Sequence, residues 1–282
     1  MTVSDAELAT LAASHDIISI GMAADEVRRE RHAVRTTFVR VADVRAAEGD
    51  VAVPPAAGEL RIVGKPPSRA AAVERVGQVM AASDGAPVSA FSLADLEELA
   101  TREGVTLRAL LEELRGAGLE LIAEAPFDLL RDPRRSIEEV NIAGLVVARL
   151  TVHRPPSTDP IPLLRAVADL QRAVAVIRTF APLPRSINPA TPTTGYDDVR
   201  RVALARVVVD NVPSIQVDWA LYGPKLAQVA LTMGADDVDG VSPRDDSGLG
   251  RRRAPLEEIR RNIRAAGLEP VERNGRFDLR TT

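Results

Sequence analysis

The stretch 197–241 constrains the fold most, because its residue pattern is that of a helix, a strand, a helix and a strand in succession. Apolar residues recur at helical spacing at its start, and the segment 213–219 then alternates apolar and polar side chains. Gly223-Pro224 is predicted to open the second helix, since proline is tolerated at a first helical position. Two strands joined by one helix are expected to lie parallel, as a right-handed βαβ unit.

The same alternation extends over most of the chain. Six earlier strands are predicted at 36–41, 60–64, 87–91, 119–124, 145–152 and 174–183. Eight strands with intervening helices predict an α/β fold, a (β/α)8 TIM-type barrel. The segment 43–59 is rich in Pro, Ala and Gly and contains no convincing helix. The barrel is therefore predicted either to close or to stay partly open between its first two strands.

Three regions are predicted along the chain. Residues 1–34 form N-terminal helices that pack on the barrel, residues 35–241 form the barrel, and residues 242–282 form an extension with a helix and a short tail. Two capping boxes, Ser4 with Glu7 and Ser136 with Glu139, are expected to start helices.

Composition excludes several classes of function. The chain has no cysteine, so disulfides, thiolate zinc sites and thiolate-held iron–sulfur clusters are impossible. A net charge of −4 and a pI of about 5.6 argue against nucleic-acid or membrane partners recruited by charge. No long apolar run or signal sequence is visible, and we expect a soluble, cytoplasmic protein.

Side chains at the carboxyl ends of parallel strands converge on one mouth of a barrel, which makes them the candidates for function. Polar groups there can hold a polar ligand and act as acid or base. The predicted catalytic residues are Glu124, His153 and Asp218. The predicted ligand-binding residues are Asp43, Arg185, Gln216, Trp219 and Asp239. No metal site is predicted, because no cluster of Asp, Glu and His has ligand spacing.

Several of these residues have an alternative interpretation. His153 precedes Arg-Pro-Pro and fits a solvated loop, and Trp219 fits the core as well as a stacking surface. Asp218 would be costly to bury alone, so it is expected to meet an arginine or a ligand. The pair Asp236 and Asp237 is interpreted as a turn, where aspartate bonds its own backbone.

Several segments resemble one known family. They are IQVDWALYGPKLAQVALTMGADDVDGV with VALARVVVDNVP before it, DIISIGMAADEVRRERHAVRTTFVRV, VTLRALLEELRGAGLELIAE, TFAPLP and IRRNIRAAGLEPVERNGRFD. The chain resembles the radical SAM enzymes related to aminofutalosine synthase, dehypoxanthine futalosine cyclase and the deazaflavin (FO) synthase subunit. The resemblance implies a barrel that holds a 4Fe–4S cluster and S-adenosylmethionine, with a place in menaquinone biosynthesis.

The departures from this family concern the cofactor side. The family places three cluster-binding cysteines just after its first strand, and this chain has VADVRAAEGDVAVPPAAGEL there. Lys65 stands in place of the second glycine of the family's pair at strand two. Glu124 matches a glutamate of the fourth-strand motif, and His153 lines up with a histidine after strand five. No 4Fe–4S cluster is expected, and S-adenosylmethionine binding is not expected either.

These observations support a leading hypothesis and two rivals. The leading one is a cluster-less, non-radical homologue that acts as a ligand-binding, partner or scaffold protein. The first rival is an enzyme whose Glu124, His153 or Asp218 performs acid/base chemistry on a nucleoside-like or chorismate-derived compound. The second predicts an exposed apolar groove at the missing first helix, covered by a homodimer or an active paralogue.

Overall fold

Eight parallel strands form a closed barrel in the computed structural model, which describes residues 10–11, 13–47, 49–154, 159–186, 193–244 and 255–280. The strands are β1 (Arg35–Arg45), β2 (Glu59–Val63), β3 (Val88–Ser92), β4 (Leu121–Pro126), β5 (Val146–Val152), β6 (Ile177–Pro184), β7 (Ser214–Asp218) and β8 (Asp237–Val241). Consecutive strands pair in parallel from β1 through to β8, and β8 pairs with β1. The predicted TIM-type barrel is confirmed.

The barrel also closes between β1 and β2, so the predicted alternative of an opening there is wrong. Residues 41–45 of β1 pair with residues 59–63 of β2 although no helix joins the two strands. The connecting loop is held by Arg75, whose guanidinium donates to the carbonyl oxygens of Arg45 and Gly49, both at 2.9 Å. A side chain from the next helix thus holds the described part of the loop that joins β1 to β2.

A ninth strand, β9 (Glu269–Glu272), completes the seam at the opposite end of β1. It pairs in parallel with residues 35–38, on the stretch of β1 that β2 does not reach. Beyond it, the Gly275 amide donates to the Gly58 carbonyl at 2.9 Å, and the Gly58 amide donates to the Arg40 carbonyl at 2.8 Å. The C-terminal extension is therefore hydrogen-bonded into the barrel sheet, while the domain boundary after residue 241 stays a prediction.

Nine described helices surround the strands or pack at the ends of the barrel. They are α1 (Ile17–His32), α2 (Arg69–Ala82), α3 (Leu93–Arg102), α4 (Leu107–Gly116), α5 (Pro133–Ile142), α6 (Ile161–Val174), α7 (Gly195–Val208), α8 (Trp219–Thr232) and α9 (Pro255–Ala265). Several begin at side-chain caps: Thr106 caps α4, and Thr194 with Asp197 forms a capping box on α7. None of the described helices is long and apolar enough to cross a bilayer.

The predicted start of α5 at Ser136 differs from the structure. Helix α5 begins three residues before Ser136, because the Asp132 side chain caps it and Pro133 occupies its first turn. The Ser136 hydroxyl instead donates to the Asp132 carbonyl at 2.9 Å and to Glu97. The capping box predicted at Ser4 and Glu7 lies outside the described residues.

Helix α8 starts earlier than Gly223 and Pro224 suggest. The Asp218 side chain accepts from the Leu221 amide at 2.9 Å and caps a first turn that begins at Trp219. Gly223 then has φ 74°, which breaks the helix, and Pro224 opens its longer second part. The last residue of β7 is therefore also the cap of the following helix, and Asp218 is held in place by two elements.

Candidate ligand site at the barrel mouth

Four polar side chains form one continuous network at the carboxyl ends of β4 to β7. His153 Nε2 lies 2.9 Å from Glu124 Oε1, and Arg185 Nη1 donates to Asp218 Oδ2 at 2.6 Å. Arg185 Nε lies 3.8 Å from Glu124 Oε1, so its guanidinium joins the two pairs. These side chains are 11–25% exposed and line the open end of the barrel. The structure thus brings together the three predicted catalytic residues and Arg185.

Glu124 is a fixed negative charge in this network. Burial by itself would raise the pKa of Glu124, but the hydrogen bond from His153 and the charges of Arg185 and Arg149 lower it to about 2. Thr151 adds a hydrogen bond to Oε1 at 2.6 Å. Glu124 is therefore a carboxylate at neutral pH, suited to holding a donor and poorly suited to giving up a proton.

Inside the barrel, the buried Asp239 is bound by two arginines. Arg61 donates to both of its oxygens, at 2.8 and 3.1 Å, and Arg149 donates to Oδ2. These charges lower the pKa of Asp239 although burial opposes them. Arg61 also reaches Glu59 at 2.9 Å. Asp239 is fully buried and is bound by protein groups, and its predicted ligand-binding role stays a prediction.

A second buried carboxylate, Asp237, lies one layer deeper. Arg273 donates to both of its oxygens at 2.6 and 2.7 Å, and Gln216 donates to Oδ2 at 2.6 Å. Gln216 is only 1% exposed, and its predicted ligand-binding role also stays a prediction. The interpretation of Asp236 and Asp237 as turn residues is wrong, because both are buried and ion-paired, Asp236 with Arg206.

Asp43 is the mouth carboxylate to which no described residue donates a hydrogen bond. It is exposed at the end of β1 and accepts no hydrogen bond from any described residue. It lines a cavity of about 360 Å³ with Asp50, Arg75 and Arg244 among its walls. Partial desolvation raises the pKa of Asp43, against the opposing charge of Arg61. This residue remains available to a ligand.

Trp219 and His153 differ in their surroundings. Trp219 is half-buried and packs against the hydrophobic core, in agreement with its core alternative. His153 is more than a solvated loop residue: its ring contacts Glu124, and its backbone amide donates to Asp128 at 2.8 Å. Sequence reasoning missed Arg61 and Arg149, since neither lies at the end of a strand.

Comparison with known proteins agrees with the resemblance. Residues 182–282 match the family described as the CofH/MqnC C-terminal region. The chain is 28% identical over 222 residues to the 5-amino-6-(D-ribitylamino)uracil--L-tyrosine 4-hydroxyphenyl transferase of Archaeoglobus fulgidus, covering 68% of this chain and 64% of that protein. It is 38% identical over 93 residues to the aminodeoxyfutalosine synthase of Streptomyces coelicolor, covering 30% of this chain and 24% of that protein.

This chain is a distant homologue of these enzymes. It spans less than two thirds of the length of either relative. Among solved structures, it resembles methylornithine synthase with a TM-score of 0.68 at 14% identity, over 96% of this chain and 94% of that one. That likeness supports the barrel fold alone.

The residues of this homologue do not fit the 4Fe–4S cluster that the family resemblance of the sequence implies. The chain has no cysteine, and the described part of the loop after β1 is tied back by Arg75. Among the described residues, no group of three or more Asp, Glu or His side chains is arranged to hold a metal ion. No thiolate of this chain can therefore hold a 4Fe–4S cluster.

Proposed function

We propose that this chain is a non-radical homologue of the futalosine-pathway enzymes that binds a small molecule at the barrel mouth. The observation that carries the proposal is the network of Glu124, His153, Arg185 and Asp218, which is ordered by the protein yet partly open to solvent. A site whose groups are already positioned binds a ligand without the entropic cost of ordering them.

The acid/base alternative has less support. A general acid or base works best with a pKa near the working pH, and the pKa of Glu124 is about 2. Asp218 is paired with Arg185 and caps α8, so both of its oxygens are engaged. For Glu124 and Asp218, these contacts favour holding a ligand over moving a proton, and His153 is the remaining acid/base candidate.

The test combines cluster reconstitution with a ligand screen. We expect anaerobic incubation with iron and sulfide to give no cluster absorbance, and added S-adenosylmethionine to stay intact. Thermal-shift and native mass spectrometry against nucleosides, S-adenosylmethionine, aromatic acids and amines are expected to find at least one ligand. Its binding should weaken at least about tenfold in Arg185→Gln and stay unchanged in Arg172→Gln, since the Arg172 side chain on α6 is 69% exposed. A screen without any ligand would contradict the proposal.

A partner role is a second proposal, which rests on another surface than the sequence suggested. No large apolar side chain of the described residues 35–63 is exposed, so the groove expected between β1 and β2 does not form there. Ile18 and Met22, one turn apart on α1, are 68% and 69% exposed. We propose this pair as the contact of a homodimer or an active paralogue. Light scattering of Met22→Glu beside the unaltered chain tests it, since loss of a dimer supports the contact.

A further inference from the structure

The cavity beside the end of β1 is separate from the network at the carboxyl ends of β4 to β7. Its volume is about 360 Å³, and it lies between the last residues of β1, the loop that follows them and the residues after β8. No residue of the β4–β7 network lines it. Its charged walls are Asp43, Arg45, Asp50, Arg75 and Arg244. Three guanidinium groups and two carboxylates thus face one space.

Arg75 is buried in the wall of this cavity and has no carboxylate partner among the described residues. The residue is 5% exposed. It donates to two backbone carbonyl oxygens and, at 3.1 Å, to the side-chain oxygen of Gln78, so its described acceptors are all neutral. Its Nη2 donates to no described residue. By contrast, a carboxylate pairs with each of four other buried arginines, Arg40, Arg61, Arg149 and Arg273. Because a buried charge is costly without a partner, Arg75 stands to gain from an anion in the cavity.

Arg45 and Arg244 continue the positive wall of the cavity toward solvent. Both residues are exposed, and neither side chain has a hydrogen bond or an ion pair with a described residue. The two aspartates of the cavity, Asp43 and Asp50, likewise form no ion pair with any described arginine. The charges of this cavity therefore remain apart from one another, and the donors of its guanidinium groups are largely unused by the described part of the chain.

We propose that this cavity binds the phosphate group of a small phosphate ester. Such a phosphate carries nearly two negative charges at neutral pH and has three acceptor oxygens, which suits a wall of three guanidinium groups. A guanidinium also presents its donors in a planar fork that fits two phosphate oxygens. The volume of the cavity leaves room for a short polar body beside the phosphate. Hydroxyl groups of that body can donate to Asp43 and Asp50, which a bare anion would only meet as like charges.

The test compares three probes of similar size: glycerol 3-phosphate, its carboxylate counterpart glycerate and the neutral glycerol. Binding to the unaltered chain is measured at neutral pH and low ionic strength by calorimetry, with phosphorus NMR as a second readout for the ester. We expect glycerol 3-phosphate to bind at least about tenfold tighter than glycerate, and glycerol to show no measurable binding.

Arg45→Gln and Arg244→Gln are the decisive variants, because these exposed side chains make no described contact that the fold requires. Each should weaken the binding of glycerol 3-phosphate about five- to tenfold. Arg178→Gln is the matched control and should change nothing, since Arg178 is an exposed arginine near the start of β6, at the opposite end of the barrel. Arg75 is not the residue to test first, because its loss would also release the loop after β1.

The outcomes separate this site from the network of the proposed function. Arg185→Gln should leave the binding of glycerol 3-phosphate unchanged. If Arg185→Gln weakens that binding while Arg45→Gln and Arg244→Gln do not, the network binds the phosphate, and the inference is wrong while the proposed function stands. Glycerate that binds as tightly as the ester would overturn the assignment to phosphate. An ester that does not bind at all would overturn it too, whatever ligand the network binds.

Discussion

The interior of this barrel and its mouth treat carboxylates in opposite ways. In the interior, Asp237 and Asp239 are fully buried and have both oxygens bound by arginine. At the mouth, no described group donates to Asp43 or to the second oxygen of Glu124. Water cannot stabilise a charge inside the barrel, so each carboxylate there needs a protein partner. At the mouth water is available, and a carboxylate can keep capacity for a ligand.

This difference separates stability from function within one fold. The interior pairs hold strands that are distant in the sequence, such as β2 with β8 through Arg61 and Asp239. We expect substitutions of the mouth groups to lower the free energy of unfolding less than substitutions of the interior pairs. Mutations in the interior and at the mouth should therefore change the free energy of unfolding by different amounts and with different pH dependence.

The largest effect is expected at the interior. Asp239→Ala leaves Arg61 and Arg149 buried without their shared carboxylate, and we expect the free energy of unfolding to fall by about 3–5 kcal/mol. Urea denaturation followed by circular dichroism measures it. Asp169→Ala, whose side chain is 72% exposed, is the control and should change less than about 0.5 kcal/mol. A fall of less than about 1 kcal/mol in the free energy of unfolding for Asp239→Ala would remove the distinction between interior and mouth.

Acid should reveal the contribution of Glu124 at the mouth. Its pKa is about 2 in the folded chain against an ordinary 4.5, so its stabilising contribution is present above about pH 4.5 and is lost as the pH falls toward 2. We expect the unaltered chain to lose on the order of 2 kcal/mol more than Glu124→Gln between about pH 5 and about pH 2. Parallel pH profiles for the two proteins would contradict this.

The contact between the C-terminal tail and the barrel can be tested at a glycine. A Cβ at Gly275 would lie 2.9 Å from Glu59 Cγ and 3.1 Å from Pro87 Cβ, where the tail meets the seam. We expect Gly275→Ala to destabilise the fold by about 1–2 kcal/mol in thermal or urea unfolding. Gly77, inside α2, has open space within 4 Å of the position that an added methyl group would take, so Gly77→Ala should stabilise by about 0.5–1 kcal/mol. Equal effects at both glycines would mean that Glu59 and Pro87 move to make room for the added methyl group at Gly275.

The smallest effect is expected at Asp43, and its sign is opposite. The folded chain raises the pKa of this carboxyl, so its ionised form disfavours folding above that pKa. Asp43→Asn should raise the free energy of unfolding at pH 7 by no more than about 0.5 kcal/mol. The gain should vanish near about pH 3, where both side chains are neutral. A destabilised variant at pH 7 would show that Asp43 has a partner within the protein.

The sequence predicted much of the barrel and part of the mouth. Periodicity placed the strands within a few residues, and the rule that strand ends converge brought together Glu124, His153, Arg185 and Asp218. It could not show that Asp239 is bound by Arg61 and Arg149, because periodicity within one strand does not tell which side chains meet inside the barrel. The ion pair between Arg61 and Asp239 joins positions 178 residues apart, and local patterns carry no information on such pairs.

The ninth strand has a consequence for how the protein is made. The pairing of Arg35 with Glu269 connects the first strand to a strand that is synthesised after the other seven strands of the barrel. During translation β1 emerges early, and one stretch of its edge stays without its partner until the ribosome has passed β9. Chaperone binding or a slow final folding phase is therefore expected for the nascent protein, and a chain released before β9 should be the most prone to aggregate.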